Sequence, residues 1–295
     1  MLNPFWHAKS TLNCGGRLVS LDTPVVMGIL NVTPDSFYAG SRLDSSQAAV
    51  DRAGQMLEEG MTLVDIGGYS SRPGAPDIPI AEEMDRVIPI ISAIHRAFPA
   101  LPMSVDTFRA EVAREALDQG ATLINDISGG QLDPAMWDLV ARSKVPYILM
   151  HMPGNPSTMQ SKTTYQDVAV EVLDWIIHQV GLLRKRGVHD IIIDPGFGFG
   201  KTVEQNFQLL HHLDYFRVIG LPLLVGISRK SMIWKTVRAT PENALHGTTA
   251  AHLVALQKGA RILRVHDVRP AVDAIRIWQA TQQASQPDGQ GLVEP

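Results

Sequence analysis

The chain is poor in sulfur, in positive charge and in long apolar runs. Cys14 is the only cysteine among 295 residues, so neither an internal disulfide nor a thiolate-rich metal centre can form. Lys and Arg number 26 against 30 Asp and Glu, a formal net charge of −4, and no basic stripe runs along the chain. That argues against a nucleic-acid partner. No apolar run approaches the roughly 18 residues that a membrane helix needs. The amino-terminal stretch MLNPFWHAKS lacks the basic-then-apolar order of a secretory leader. A soluble cytoplasmic protein is the expectation.

What is present is a large potential core. Hydrophobic residues make up 45% of the chain and charged ones 19%, enough for one large α/β barrel or two smaller domains without a metal or disulfide staple. Short runs rich in Val, Ile and Leu alternate with helical patterns. They are VVMGILNV (25–32), TLVDIGG (62–68), PMSVDT (102–107), TLINDIS (122–128), YILMHM (147–152), DIIIDPG (190–196), LPLLVGIS (221–228) and ILRVHDV (262–268). Near-continuous apolar character suits parallel strands covered on both faces, and eight such runs are the count of a closed (β/α)8 TIM barrel.

Punctuation supports the repeat. Pro24, Pro102, Pro146 and Pro222 stand at the entrances of alternate runs, and Gly60, Gly120, Gly187 and Gly259 precede the others. Glycine there suits a left-handed helix end, and proline at a strand entrance needs no ladder donor. Ser45 or Ser46 is the expected cap of the helix that reaches Gly60. After Thr164 a helix is expected with Val168, Val172, Trp175, Ile176 and Leu183 on one face. Residues 11–22 precede the first barrel run and read as a short β-hairpin closing the barrel bottom. Residues 1–283 are expected to form a single domain, and the polar stretch 284–295 a disordered tail. An open doubly wound sheet is the alternative architecture.

In a parallel barrel the carboxyl ends of the strands share one mouth. Every run here carries polar groups at that end: Asn31 with Thr33 and Asp35 beyond, Asp65, Asp106, Asn125 with Asp126, His151, Asp194, then Ser228–Lys230, and Arg264 with His266 and Asp267. Buried charge without a partner is costly, so such regularity points to a site. Asp and Asn can pair with the N–H edge of a flat heterocycle. The bases Arg229, Lys230, Arg264 and His266 come from the last two runs, the barrel quarter in which phosphate sites recur. The implied ligand has a planar, N–H-rich head and an anionic phosphate tail.

Eight stretches at these ends resemble, in order, the motifs of the dihydropteroate synthase family: MGILNVTPDSF (27–37), GGYSSRPG (67–74), SVDT (104–107), NDISGG (125–130), LMHMPGNP (149–156), DPGFGFGK (194–201), GISRKS (226–231) and RVHDV (264–268). The resemblance implies joining of 6-hydroxymethyl-7,8-dihydropterin pyrophosphate to p-aminobenzoate, with pyrophosphate released. It implies that Asp106, Asn125, Ile127, Met150, Asp194, Gly226, Lys230 and Arg264 form the pterin pocket. Ser71, Arg72, Pro73, Phe199, Lys230 and Ser231 would take p-aminobenzoate. Asn31, Ser71, Arg72, Arg264 and His266 would take the pyrophosphate, with Asn31 as the protein ligand of a Mg²⁺ ion. Asp106, Asp194, Lys230, Arg264 and His266 would carry the chemistry, and the assembly would be a homodimer packed through late barrel helices. Three positions depart from the family pattern: Tyr69 where Glu is frequent, Ser71 where Thr is common, and the stretch after Phe37.

Rival readings exist for the whole and for parts. A methyltetrahydrofolate-dependent methyltransferase domain would also hold a pterin, and a non-catalytic pterin-binding paralogue would keep the pocket without turnover. GFGFGKT imitates a phosphate-binding loop, but Pro195 occupies the position of its first glycine; those glycines are expected to let backbone approach a ligand. His211 and His212, adjacent on a helix, read as solvated, and His95, His178 and His252 as structural. Arg109, Arg114, Glu58 and Glu59 read as solvated helix faces, and Cys14 as incidental.

Overall fold

The computed structural model describes residues 10–32, 42–71 and 75–284. Two short strands come first, β1 (Thr11–Cys14) and β2 (Arg17–Ser20), paired antiparallel with Cys14 opposite Arg17. The two residues between them, Gly15 and Gly16, have φ of 63° and 89°. Both values are positive, as the tight twisted hairpin turn requires and as glycine alone adopts freely.

Eight parallel strands follow: β3 (Val25–Asn31), β4 (Leu63–Gly67), β5 (Met103–Asp106), β6 (Leu123–Asp126), β7 (Tyr147–Met150), β8 (Ile191–Asp194), β9 (Leu224–Val225) and β10 (Ile262–Val265). Their order is β8-β7-β6-β5-β4-β3-β10-β9. A bridge between Ile193 and Leu223 joins the two ends, with Ile193 N donating to Pro222 O at 2.9 Å. The sheet therefore closes, and the open-sheet alternative is set aside. Helices α1 (Arg42–Glu58), α2 (Ile80–Ala97), α3 (Ala110–Asp118), α4 (Ala135–Ser143), α5 (Val168–Lys185) and α6 (Val203–His211) fill the first six connections. Next come α7 (Ser231–Thr236) and α8 (Leu245–Gln257) together, and finally α9 (Val268–Ala284). No helix among the described residues is long and apolar enough to cross a membrane.

The pleat sorts the strand residues into two layers. Val64, Ile66, Ile124, Leu149, Ile191, Ile193 and Leu263 belong to the large core shared with the helices. Met27, Leu63, Leu123, Ile148, Ile192, Leu224 and Ile262 instead form a second cluster with Leu12, Cys14, Val19 and Leu21 of the hairpin. The hairpin thus plugs the amino-terminal end of the barrel. Cys14 is part of this plug, and burial pushes its thiol up to about 12.

The glycine expectation holds at all four positions. Gly60, Gly120, Gly187 and Gly259 have φ of 102°, 109°, 80° and 105°. The prolines stand at strand entrances and lend their carbonyls to the ladder: Pro102 O accepts from Val64 N, and Pro146 O from Ile124 N. One expectation is corrected. Helix α1 spans Arg42–Glu58, so Ser45 and Ser46 are its fourth and fifth residues and lie inside the helix rather than capping it; serine is tolerated there because its cost in a helix is small. The cap of α5 is Asp167, whose carboxylate accepts from Ala169 N and Val170 N.

Two of these glycines separate backbone strain from collision. A Cβ on Gly187 would meet nothing within 4 Å, whereas one on Gly120 would stand 2.5 Å from the His95 ring. Gly187→Ala is expected to cost about 1–2 kcal/mol, the left-handed penalty alone. Gly120→Ala should cost clearly more, because His95 must also move. Urea unfolding of both variants checks this; equal losses would show that backbone conformation alone sets the cost.

Candidate active site

The next inward layer, two residues beyond the apolar plug, is polar. Leu63, Leu123, Ile148, Ile192, Leu224 and Ile262 face the hairpin; two positions further along the same strands stand Asp65, Asn125, Met150, Asp194, Gly226 and Arg264. Strand alternation alone aims these six into the barrel mouth.

Arg264 lies at the centre of this layer. Its Nε donates to Asp65 Oδ2 at 2.6 Å and its terminal nitrogen to Asp106 Oδ2 at 2.7 Å. Asn125 Nδ2 donates to the same Asp65 oxygen at 2.8 Å. Asp65 is fully buried and its other oxygen has no hydrogen-bond partner within the protein. Two acids thus share one guanidinium. Burial pushes the Asp106 carboxyl up to about 7, against the pull of Arg264 and with help from the charge on Asp65. Asp65 appears at a strand end in the sequence, but its role as the anchor of Arg264 emerges only in three dimensions.

Asp194 and Lys230 form a second group. Asp194 Oδ1 accepts from Gly196 N at 2.8 Å. Burial raises its carboxyl pKa, opposed first by Lys230. Lys230 Nζ donates to Phe197 O and sits 4.6 Å from the centre of the Phe199 ring. Burial pushes this ammonium down to about 8, with Asp194 opposing. A Cβ on Gly226 would lie 4.0 Å from both Arg264 Cβ and Lys230 Nζ, so the two groups meet over that glycine. Asp106, Asp194, Lys230 and Arg264 therefore converge on one mouth.

The wall beside Phe199 is apolar. Ile127, Met150, Met152 and Met159 are buried together, with Phe108 and Phe199 packed against them. Phe199 is thus a wall residue under an ammonium. Ser231, at the start of α7, lines a cavity of about 540 Å³ with Gln160, Lys201 and Lys235. Asn31 ends β3, and Ser71 follows β4; both are half-buried. Arg72 and Pro73 lie outside the described residues, as do Thr33 and Asp35.

One sequence reading of the basic side is corrected. Arg229 does not stand ready for an anion: its guanidinium makes a bidentate pair with Asp267, at 2.9 and 2.6 Å. The pairing is geometric, because Arg229 has φ of 55° and its amide is held by Thr248 Oγ1. His266 is not a cation in this state. Burial, then the charges of Arg264 and Arg229, push it down to about 4, and its Nδ1 is within 3.0 Å of Ser228 Oγ.

The glycines of GFGFGK are also corrected. Gly196, Gly198 and Gly200 have φ of 73°, 80° and 58°. A Cβ on Gly196 would stand 2.0 Å from His151 O, and one on Gly200 2.3 Å from Pro153 Cγ. Gly196 and Gly200 let the loop turn against the end of β7, whereas a Cβ on Gly198 would stand 3.0 Å from Lys230 Cδ. Lys201 is buried inside that turn, its Nζ within 3.1 Å of His151 Nδ1, 3.0 Å of Gly196 O and 3.1 Å of Phe199 O. His151, pushed down to about 2 by burial and Lys201, packs edge-on against Trp175 and belongs to the wall. Asp126 is likewise structural, accepting from Ser128, Gly130 and Tyr147.

Among the remaining sequence readings, Arg109 is the clear error. It is not a solvated helix residue: it pairs with the buried Glu83 at 2.8 Å. Its position just before α3 hides this, because its partners come from α2 and the loop before it. Arg114 and Glu58 are exposed as expected, and so is His178, which plays no structural part.

A closed parallel barrel whose mouth offers carboxylates and an amide opposite a lysine and an arginine defines a pterin-binding enzyme, and the pterin-binding enzyme family matches residues 27–266. Escherichia coli (strain K12) dihydropteroate synthase is 44% identical over 92% of this chain and 96% of its own. The Bacillus subtilis (strain 168) dihydropteroate synthase is 41% identical over 87% and 88%. Among solved structures, Xanthomonas albilineans dihydropteroate synthase with 4-aminobenzoic acid is 46% identical, with a TM-score of 0.87 over 94% of this chain and 99% of that one. The same enzyme with 7,8-dihydropteroate is 44% identical, with a TM-score of 0.83 over 94% and 100%. The chain belongs to the dihydropteroate synthase family.

Two ionisations bound the pH range of the site. Asp106 accepts through both oxygens only as carboxylate, and burial pushes it up to about 7, so protonation on mild acidification is the expectation. Lys230, lowered to about 8, loses its charge on the alkaline side. Pterin kcat/KM, which reports free-enzyme ionisations, should therefore peak between these values. In the Asp106→Asn variant the acid limb should shrink to that of Asp194, whose carboxyl burial also raises. A wild-type profile that is flat down to the ordinary carboxylate range would contradict this electrostatic reading.

Proposed function

We propose that the chain condenses 6-hydroxymethyl-7,8-dihydropterin pyrophosphate with p-aminobenzoate, giving 7,8-dihydropteroate and pyrophosphate, in folate synthesis. The observation that carries this reading is the inward polar layer, where Asp106, Asn125 and Asp194 stand with Lys230 and Arg264 around one mouth. A dihydropterin presents adjacent N–H donors along its pyrimidine edge. Asp106 and Asp194 would accept from them, and Asn125 can both donate and accept. Met150 and Ile127 would floor the ring, Gly226 would leave room beneath it, and Arg264 would lie flat against it.

The reaction is a substitution at the CH₂ that carries the pyrophosphate. As the C–O bond breaks, its electron pair leaves with pyrophosphate and positive charge spreads over the pterin. Asp106 and Asp194 would stabilise that charge in a water-poor site, where fixed charges act strongly. Arg264 and His266 would meet the charge growing on the leaving group, and Ser71 and Arg72 are proposed to share that role. The aniline nitrogen of p-aminobenzoate, bound by Ser71, Pro73, Phe199, Lys230 and Ser231, attacks with its free lone pair and then loses a proton to water. No strong general base is needed.

Mg²⁺ fits this site as a shared ion. No cluster of three or more His, Cys, Asp or Glu that could cage a metal occurs among the described residues. Mg²⁺ commonly bridges substrate phosphates through one or two protein oxygens, and the side-chain carbonyl oxygen of Asn31, at the end of β3, would be such a ligand. Bound there, it would add Lewis-acid stabilisation of the pyrophosphate.

A homodimer through the late barrel helices is part of the proposal. Phe207, Tyr215, Val218, Val237 and Val254, all in this part of the chain, are large apolar residues left exposed. Light scattering should give about twice the 32.3 kDa chain mass; a monomer at micromolar concentration would remove this element. The buried, unpaired Cys14 suits the cytoplasm.

Purified protein with Mg²⁺, the pterin pyrophosphate and labelled p-aminobenzoate should yield labelled dihydropteroate. Asp106→Asn should weaken pterin binding and slow turnover by about ten- to a hundredfold, the worth of a hydrogen bond to a charged group. Pterin binding without any product would favour the non-catalytic paralogue, and near-normal rates in Asp106→Asn would remove that residue from the mechanism.

A further inference from the structure

Arg109 stands just past Asp106, where β5 hands over to α3, and its side chain is only 12% exposed. One guanidinium nitrogen donates to Glu83 Oε2 at 2.8 Å; another donates to Asp77 Oδ1 at 2.9 Å and to Ile78 O at 2.7 Å. Its carbon lies 5.2 Å from the centre of the Tyr69 ring and 5.3 Å from that of Phe108. These two rings meet edge to face at 5.0 Å, and Phe108 packs on the buried wall of Ile127, Met150, Met152 and Met159, as Phe199 does. Tyr69 and Asp77–Ile78 flank the stretch that carries Ser71. One planar fork therefore touches both flanks while Glu83, buried in α2, holds the fork itself. Nothing in the proposed chemistry uses Arg109, yet a lysine could not replace this set of contacts, since it lacks both the fork and the stacking face.

We propose that Arg109 is a positioning residue for p-aminobenzoate: by clasping Tyr69 to Asp77 and Ile78 it fixes Ser71 at the mouth. The inference rests on the p-aminobenzoate role of Ser71 proposed above. It also gives Tyr69 a function, as the ring that packs with Arg109 and Phe108 in a three-way cluster.

Three variants test it. Arg109→Lys keeps a cation for Glu83 but loses the fork. The double variant Arg109→Gln with Glu83→Gln removes the buried charge pair together, which avoids an unpaired buried carboxylate. Asp77→Ala removes an 80% exposed carboxylate that meets both Arg109 and the Tyr69 hydroxyl. In Arg109→Lys and in the double variant, the KM for p-aminobenzoate should rise by about tenfold or more, the loss of a charge-assisted hydrogen bond. The Kd for pterin pyrophosphate, read by calorimetry, should stay within about twofold. Hydrogen exchange should quicken in peptides covering Gly68–Ser71 and Ala75–Ile78 and nowhere else. Asp77→Ala should show the same pattern more weakly. Unchanged exchange in those peptides overturns the clasp, and faster exchange with an unchanged KM overturns its role in capture. Equal losses for both substrates show a general structural role and overturn it too. If the wild-type protein does not turn over, the proposed function fails, and the exchange measurement still decides the clasp.

Discussion

One cation shared by two acids organises this molecule. Arg264 bonds Asp65 at 2.6 Å and Asp106 at 2.7 Å, reaching from β10 past β3 to β4 and β5. Asp65 is fully buried, and a buried carboxylate deprived of its partner costs about 3–5 kcal/mol. The pair is therefore a closure of the barrel mouth as well as a feature of the site. The shared guanidinium leaves the pair of acids with an excess negative charge. That excess helps to raise Asp106 and suits the mouth to a ligand that brings N–H donors or acquires positive charge.

The rest of the site follows from how the polar layer is supported. Below it lies the apolar plug in which Cys14 and Leu12 of the hairpin meet Ile192 and Leu224. That floor keeps water from reaching the acids from beneath. At the carboxyl ends of β8 and β9, loops turn sharply and are pinned: Lys201 by three acceptors, Arg229 by Asp267. The left-handed Arg229, with φ of 55°, is the kind of strain that persists only where surrounding contacts over-determine it. It aims the following residue, Lys230, toward Phe197 O and the Phe199 ring. Preorganisation of this sort matters because fixed dipoles and charges stabilise a developing cation without reorganising during reaction.

The sequence by itself determined the barrel and the content of its mouth. Strand count, the glycines at Gly60, Gly120, Gly187 and Gly259, and the period-two placement of Asp65, Asn125, Asp194 and Arg264 above apolar residues are all local properties. Backbone sterics and pleating translate them directly into geometry. Pairing between distant elements was decided only by tertiary structure. Arg109 looks like a surface helix residue until α2 brings Glu83 to it, 26 positions away. Arg229 looks like an anion ligand until β10 delivers Asp267, 38 positions away. A side chain's charge is written in the sequence, but whether that charge is spent on a neighbour or left for a ligand depends on distances of a few ångströms between segments whose approach only the closed barrel fixes.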